Sequence, residues 1–214
     1  MTPLVASSIH ELIQASETVR SELRNEPWWR GQANASWPLV AGVLRRDGGW
    51  RYEQEIVRRF VQGAASRHHN LPPLNERARW LFLMQHYRLP TRLLDWTESV
   101  LVAAYFAVCE NPLEPGAVYG LDPIALTRAC INRDRIQGAA EREAATIFTM
   151  AFEDPGGWDK AAIAVQADEI DTRMLVQRSA FTLHGGATPL HELKDASTYL
   201  RSVHILPEAK PGIR

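Results

Sequence analysis

The stretch QHYRLPTRLLDWTESVLVAAYFAV, Gln85–Val108, decides the fold because a strand pattern in it runs directly into a helix pattern. After Pro90, TRLLDW is extended and mostly apolar, which predicts a short strand. The following ESVLVAAYFAVCEN is apolar on most sides, which predicts a helix buried in the core. Asp95 or Thr97 can cap this helix, but the same position also lets a hydroxyl and backbone N–H groups face a phosphate or a ribose. Both interpretations of the junction stay open.

The other elements follow from apolar periodicity and from turn residues. Helices are predicted at SSIHELIQASETVRSEL, WRYEQEIVRRFVQGAASRH, NERARWLFLMQHYRL (capped by Asn75), IALTRACINRDR and AAEREAATIFTM. Short strands are predicted at WWRGQ, GAVYGLDP, AAIAVQA, SAFTL and SVHILP. Helices come first and short strands with helices between them follow, which indicates a single α+β domain rather than regular βαβ units.

Composition narrows the function classes. The chain has 214 residues, of which 45% are hydrophobic, so it can bury a sizeable core. Its 24 basic and 25 acidic residues give a net charge of -1, which argues against general nucleic-acid or membrane binding. We expect a cytoplasmic protein, since we see no signal peptide and no apolar run of membrane-spanning length, and Cys109 and Cys130 fit no disulfide or zinc pattern.

Several common kinds of site are not indicated by the sequence. The histidines are not spaced as metal ligands, so we expect no metal. The sequence has no G-x-S-x-G nucleophile motif, and its glycines form neither a Walker nor a dinucleotide fingerprint. Catalysis or binding must therefore depend on other polar residues.

Three separated clusters of polar and aromatic residues remain as candidates. In WWRGQ, Arg30 offers a guanidinium and Gly31 lets a ligand approach closely, although a salt bridge at a strand end explains Arg30 equally well. The second cluster is LLDWTES, at the junction described above. In the third cluster, Gln177 precedes the strand SAFTL. Its amide can point towards the space that the first two clusters share, or Gln177 can be a polar residue at a sheet edge without a functional role.

These clusters resemble the FRG domain, which is named for an aromatic-Arg-Gly motif. The resemblance rests on WWRGQ, on QHYRLPTRLLDWTESVLVAAYFA followed by GAVYGLDP, and on QRSAFT. It divides the chain into an N-terminal helical segment over residues 1–26, an FRG domain over 27–206 and a C-terminal tail over 207–214. The order of the motifs is also similar, more weakly, to that of ADP-ribosyltransferases, which implies a small mixed or antiparallel split sheet with N-terminal helices packed on it.

The second similarity implies NAD as substrate and assigns roles to single residues. Arg30 would hold the diphosphate, Asp95 and Thr97 would lie near the reacting ribose, and Gln177 would orient the ribose or the acceptor. The residues expected to line the NAD site are Trp29, Gly31, Gln32, His86, Tyr87, Arg92, Trp96, Ser179 and Phe181. Breaking the nicotinamide–ribose bond develops positive charge on the ribose, so an acid is needed nearby. The usual Glu is not visible beside Gln177, which leaves Asp95, Glu53 or Glu55 for this task.

The resemblance implies an enzyme that transfers ADP-ribose to a macromolecule, either a nucleic acid or a protein, or an NAD glycohydrolase that hydrolyses free NAD. A bacterial toxin or anti-phage defence effector fits this activity, and such an effector has a neutralising antitoxin or immunity partner; no membrane partner is expected. The alternative is a non-catalytic module of such a system that binds a nucleotide or a nucleic acid. A scaffold that binds a protein partner would explain the apolar helix equally well.

Overall fold

The computed structural model describes residues 2–45, 50–65, 71–153, 161–166 and 179–214. In these residues the strands are β1 (Leu4–Ala6), β2 (Trp28–Gln32), β3 (Leu93–Thr97), β4 (Gly116–Leu121), β5 (Gln137–Gly138), β6 (Ala162–Gln166), β7 (Ser179–His184) and β8 (Leu200–Ile205). The helices are α1 (Ile9–Glu22), α2 (Trp50–Ala65), α3 (Arg77–His86), α4 (Val100–Val108), α5 (Pro123–Ile131), α6 (Arg142–Met150), α7 (Ala196–Tyr199) and α8 (Lys210–Ile213). The predicted α+β class is confirmed.

All the described strands join one mixed sheet in the order β1-β8-β4-β2-β3-β7-β6-β5. The pairs β1–β8 and β5–β6 are parallel, and the other neighbours are antiparallel. The expectation of a small split sheet needs correction, because a single open sheet of eight strands forms. The pairing between β2 and β3 is the shortest in the sheet, with the single register pair Trp29–Thr97.

Side chains alternate along each strand, so the two sides of the sheet carry different residues. We call the side that carries Trp28, Arg30 and Gln32 the Arg30 face, and the side that carries Trp29 and Gly31 the Gly31 face. The Arg30 face packs against α5, α7 and residues 39–44. The Gly31 face packs against α1 and α4 over one half of the sheet, and against α2, α3 and α6 over the other half.

Helix α4 is buried on one side only, which corrects the prediction that it lies wholly in the core. Its buried side is made mostly of small residues, Ala103, Ala104 and Ala107. Its larger side chains point outward, and Leu101, Tyr105 and Phe106 are 56%, 54% and 52% exposed. The apolar pattern predicted the helix correctly. It could not predict that the alanines, rather than the larger apolar residues, would pack against the sheet.

The small side of α4 lets its backbone lie directly on β2. A Cβ atom added to Gly31 would stand 1.8 Å from the carbonyl oxygen of Ala103 and 2.7 Å from the backbone nitrogen of Ala107. The space beside Gly31 that we expected a ligand to use is therefore occupied by α4. Gly31 is needed here for helix–sheet contact.

Two predicted helix caps are also wrong. The hydroxyl of Ser99, rather than Asp95 or Thr97, accepts the N–H of Val102 at the start of α4. Helix α3 begins at Arg77 after Glu76, with no side-chain capping bond, so Asn75 does not cap it.

Both ends of the chain pack onto the domain. β1 runs parallel to β8 at the edge of the sheet. In the predicted tail, Lys210 is buried and its Nζ donates to the carbonyl oxygens of Ala33, Glu110 and Asn111. None of the helices in the described ranges has the length and apolar character to cross a membrane.

Replacing Gly31 by alanine is expected to destabilise the protein by about 1–3 kcal/mol, because the new methyl group overlaps the α4 backbone. Urea unfolding monitored by circular dichroism measures the effect. The matched control is Gly63→Ala in α2, where an added Cβ meets nothing within 4 Å. This control should raise stability by about 0.5–1 kcal/mol, because alanine is the better helix former. Equal stabilities for the two variants would contradict the close packing of α4 on β2.

Candidate functional site

Arg30 is the half-buried centre of the Arg30 face. It lies in the middle of β2, where it pairs with Tyr119 of β4. Its Nη1 donates to the backbone carbonyl oxygen of Asp95 at 2.7 Å, across the short pairing between β2 and β3. Its Nε is buried and has no hydrogen-bond partner among the described residues. The guanidinium thus keeps an unused donor in a partly desolvated position.

Among the described residues, little negative charge compensates Arg30. Burial lowers the pKa of Arg30 to about 10, which the charge of Asp95 partly opposes and the nearby Arg45 reinforces. No carboxylate of the described ranges forms an ion pair with Arg30, and its bonded partner is a neutral carbonyl group. A half-buried cation of this kind is a candidate site for an anionic ligand group.

A chain of polar groups lies on the same face, on β3 and on β7 beyond it. The indole N–H of Trp96 donates to the Thr182 hydroxyl oxygen at 3.0 Å, and that hydroxyl lies 3.0 Å from Nε2 of His184. All three side chains are buried. Burial lowers the pKa of His184 to about 3, and Arg30, Arg92 and Arg45 lower it further. His184 is therefore neutral at physiological pH and adds no second charge to the site.

Arg92, which we expected to bind the cofactor, is instead committed to a buried ion pair. Its Nε donates to Glu53 at 2.8 Å, its Nη2 donates to the other oxygen of that carboxylate, and its Nη1 donates to the carbonyl oxygen of His184 at 3.2 Å. Both side chains are 1% exposed. Glu53 is thereby also unsuited to the role of a supporting acid, since its carboxylate is sealed against a guanidinium.

The carboxylate of Asp95 lies on the Gly31 face, as does the side chain of Thr97. Thr97 pairs with Trp29, and paired residues share a face, so Asp95 two residues earlier is on that face as well. Asp95 is exposed and accepts a hydrogen bond from Gln85 Nε2 at 2.7 Å. Arg30 therefore meets the backbone of Asp95 and not its carboxylate.

The other predicted residues are distributed over the core and the surface. Trp29 and Phe181 are buried on the Gly31 face, where Phe181 contacts Phe82 at 5.3 Å between ring centroids. His86 and Tyr87 lie at the end of α3, which packs on that same face. Gln32 is buried on the Arg30 face, and its Oε1 has no partner in the described part of the chain.

Two further predictions concern the third cluster and the remaining acid. Ser179 pairs with Thr97 at the start of β7, and Gln177 lies outside the described residues. Glu55 is held at the surface by Arg58 and Arg59, whose hydrogen bonds lower its pKa to about 2. Of the predicted residues that the structure describes, it brings together Arg30, Gln32 and Trp96 on one face, with the backbone of Asp95 beside them.

The sequence interpretation did not place Tyr119, Thr182 and His184 on the same sheet face as Arg30. A signal for them exists in SAFTLH, where alternation places Thr182 and His184 on one side of β7. That side could not be matched to Arg30 without the strand order. In the described ranges, no three His, Cys, Asp or Glu side chains gather in a group that could hold a metal ion.

The Arg92–Glu53 pair predicts a strong non-additive effect on stability. Arg92→Leu leaves a buried carboxylate without its partner, and we expect a loss of about 3–5 kcal/mol in the free energy of unfolding. Arg92→Leu combined with Glu53→Leu should recover most of that loss, because no buried charge remains. Chemical denaturation of both variants and of Glu53→Leu completes the cycle. The surface pair of Arg58 and Glu55 serves as control and should show little coupling; equal coupling in the two pairs would contradict the burial described.

The buried His184 predicts a loss of stability in mild acid. Its pKa in the native state is about 3, below the ordinary value of 6.5, so the unfolded chain binds a proton that the native protein does not. As the pH falls from 6.5 to 3, the free energy of unfolding of the wild type should therefore decrease more steeply than that of His184→Gln. The difference between the two slopes should be up to about 1.4 kcal/mol per pH unit. Unfolding measured from pH 7.5 to 5 tests this, with His10→Gln as an exposed control. Parallel pH profiles for the wild type and His184→Gln would overturn it.

The comparison with known families agrees with the motifs around Arg30. The model of the FRG domain matches residues 25–114, a range that includes β2, β3 and α4. Curated proteins and solved structures gave no significant match. The resemblance to the FRG domain that the sequence motifs predict is therefore confirmed for residues 25–114.

Proposed function

We propose that this protein is an ADP-ribosyltransferase-like enzyme that uses NAD as its substrate and holds the NAD diphosphate with Arg30. One observation carries the proposal: Arg30 is half-buried, forms no ion pair within the described residues, and keeps a buried Nε without a partner. Guanidinium groups bind phosphate oxygens through paired hydrogen bonds, so a diphosphate supplies both the missing acceptor and the missing charge.

The arrangement of the strands supports this proposal. β2, β3 and β7, which carry or follow the three sequence clusters, are consecutive neighbours in the sheet. Trp29, Thr97 and Ser179 form one register row across them. The aromatic residues Trp96 and Tyr119 lie on the strands on either side of Arg30 and on its face. A rigid frame of this kind suits a ligand whose phosphate and sugar must be held while a glycosidic bond breaks.

The acceptor of ADP-ribose is proposed to be a macromolecule, and the biological role to be that of a bacterial toxin or phage-defence effector with a neutralising partner. The support for a protein partner in the described chain is the exposed apolar side of α4, formed by Leu101, Tyr105 and Phe106. Contiguous apolar side chains on a surface are typical of protein interaction sites.

A non-catalytic nucleotide-binding module is the second candidate, and the position of the acids favours it. The Asp95 carboxylate lies on the opposite face from Arg30, Glu53 is sealed in its pair with Arg92, and Glu55 is bound to surface arginines. None of these acids is therefore placed to stabilise positive charge on a ribose held at Arg30. The binding module and the enzyme share the nucleotide and differ in turnover.

Titration calorimetry with NAD tests the shared part of both candidates. Arg30→Gln should weaken NAD binding about 10- to 100-fold, because a charge-assisted hydrogen bond is lost. Its thermal stability should be close to that of the wild type, since the lost bond to the Asp95 carbonyl is offset by the removal of a partly buried charge. Arg58→Gln, which removes an arginine from the surface of α2, is the matched control and should bind NAD normally.

Nicotinamide release and labelling of cell extract with radioactive NAD separate the two candidates. Turnover that Arg30→Gln abolishes supports the enzyme, whereas NAD binding without any nicotinamide release supports the module. Wild-type protein that does not bind NAD, or Arg30→Gln protein that binds it normally, would contradict both.

A further inference from the structure

A pocket of about 420 Å³ opens beside Tyr119, on the Arg30 face near the β8 side of the sheet. The polar and aromatic residues that line it are Trp37, Tyr119, His191, Ser197, Arg201, Ser202 and His204. Except for Tyr119, the sequence motifs do not include them. The volume is within the range of about 300–1,000 Å³ that small-molecule sites occupy.

Arg30 is not among the described residues that line the pocket, but the strand register places it on the same face of the sheet. Arg30 of β2 pairs with Tyr119 of β4, and Tyr119 pairs in turn with Ser202 of β8. Directly paired residues share a face, so these three side chains stand in one row on the same side of the sheet. Two antiparallel steps separate the Cα atoms of Arg30 and Ser202 by about 10 Å. A ligand group in the pocket and an anionic group at Arg30 can thus belong to one molecule.

Several polar groups of the pocket are available to a ligand. In the described part of the chain, the side chains of Trp37, Ser197, Ser202 and His204 form no hydrogen bond with another protein group. Burial lowers the pKa of His204, which favours the neutral imidazole with its one donor and one acceptor. Trp37 is 43% exposed and presents an indole surface.

The charge of the pocket selects against a cationic ligand. None of the described residues that line it is acidic. Its single arginine, Arg201, is paired with Glu22 and also donates to the carbonyl oxygens of Ser197 and Leu200. The lining is therefore close to neutral and combines a flat aromatic surface with hydroxyl and imidazole groups. These are the features that a planar, uncharged group with both donors and acceptors requires.

We propose that this pocket binds the base and ribose of a nucleotide, with the base stacked on Trp37 and hydrogen-bonded by Ser202 and His204. The part of the inference that joins this nucleoside to a phosphate at Arg30 rests on the function proposed above. A nucleoside can come from a free nucleotide or from a single-stranded nucleic acid. The row from Arg30 to Ser202 favours the free nucleotide, because phosphate and base then occupy adjacent positions on one sheet face.

Calorimetry with three probes tests the pocket separately from Arg30: adenosine has no phosphate, pyrophosphate has no base, and AMP has both. Trp37→Ala should weaken adenosine and AMP about 5- to 150-fold, the usual contribution of stacking on an aromatic side chain, and leave pyrophosphate unchanged. Arg30→Gln should weaken pyrophosphate and AMP and leave adenosine unchanged. Ser202→Val should weaken adenosine through its missing hydroxyl. Tyr52→Ala, which removes an exposed aromatic residue of α2, is the matched control and should change none of the three.

Each outcome has a defined meaning. The proposed nucleoside site is wrong if the wild-type protein does not bind adenosine, or if Trp37→Ala binds AMP as tightly as the wild type. Neither result decides the proposal for Arg30, which the NAD titration tests separately. If Trp37→Ala weakens adenosine binding but Arg30→Gln leaves AMP binding unchanged, the pocket binds a nucleoside and Arg30 does not bind the phosphate of the same molecule. A short oligoadenylate that binds more tightly than AMP, and does so through Trp37, supports the pocket and shows that its base comes from a nucleic acid.

Discussion

The contact between the α4 backbone and β2 at Gly31 is the constraint on which the rest of the structure depends. With the Ala103 carbonyl oxygen 1.8 Å from the position of a Cβ at Gly31, only glycine allows the helix to lie this close. Because side chains alternate along a strand, fixing Gly31 towards α4 fixes Arg30 towards the opposite face. The packing of the helix thus determines where the cation of the motif is presented.

The sheet separates two environments that the sequence places side by side. On the Gly31 face, the Asp95 carboxylate is bonded to Gln85, whose Oε1 in turn accepts the Thr91 hydroxyl. On the Arg30 face, a cation stands among Tyr119, Trp96 and a neutral histidine. The buried pair of Arg92 and Glu53 ties α2 to the start of β3 and makes no charge available to either face. The half-buried guanidinium of Arg30 and the carboxylate of Asp95 therefore stand on opposite sides of the sheet.

Local patterns predicted most of the elements, since β2, β3, α4 and β7 all form where periodicity placed them. The same patterns could not predict which side of a strand faces which layer, so Gly31, Phe181 and Trp29 were expected at a ligand and are packed against helices instead. Contacts between residues far apart in the chain could not be predicted from the sequence either. Nothing in the chain order indicates that Glu53 would neutralise Arg92, or that Thr182 and His184 would stand on the face of Arg30.

A crystal structure of the protein with ADP-ribose would test the placement of the anion site most directly. Electron density for the diphosphate within hydrogen-bonding distance of Arg30 Nε, on the side of the sheet away from α4, is the expected result. Diphosphate density beside Asp95 and Gln85 on the Gly31 face, with Arg30 still bonded only to the Asp95 carbonyl group, would contradict the account.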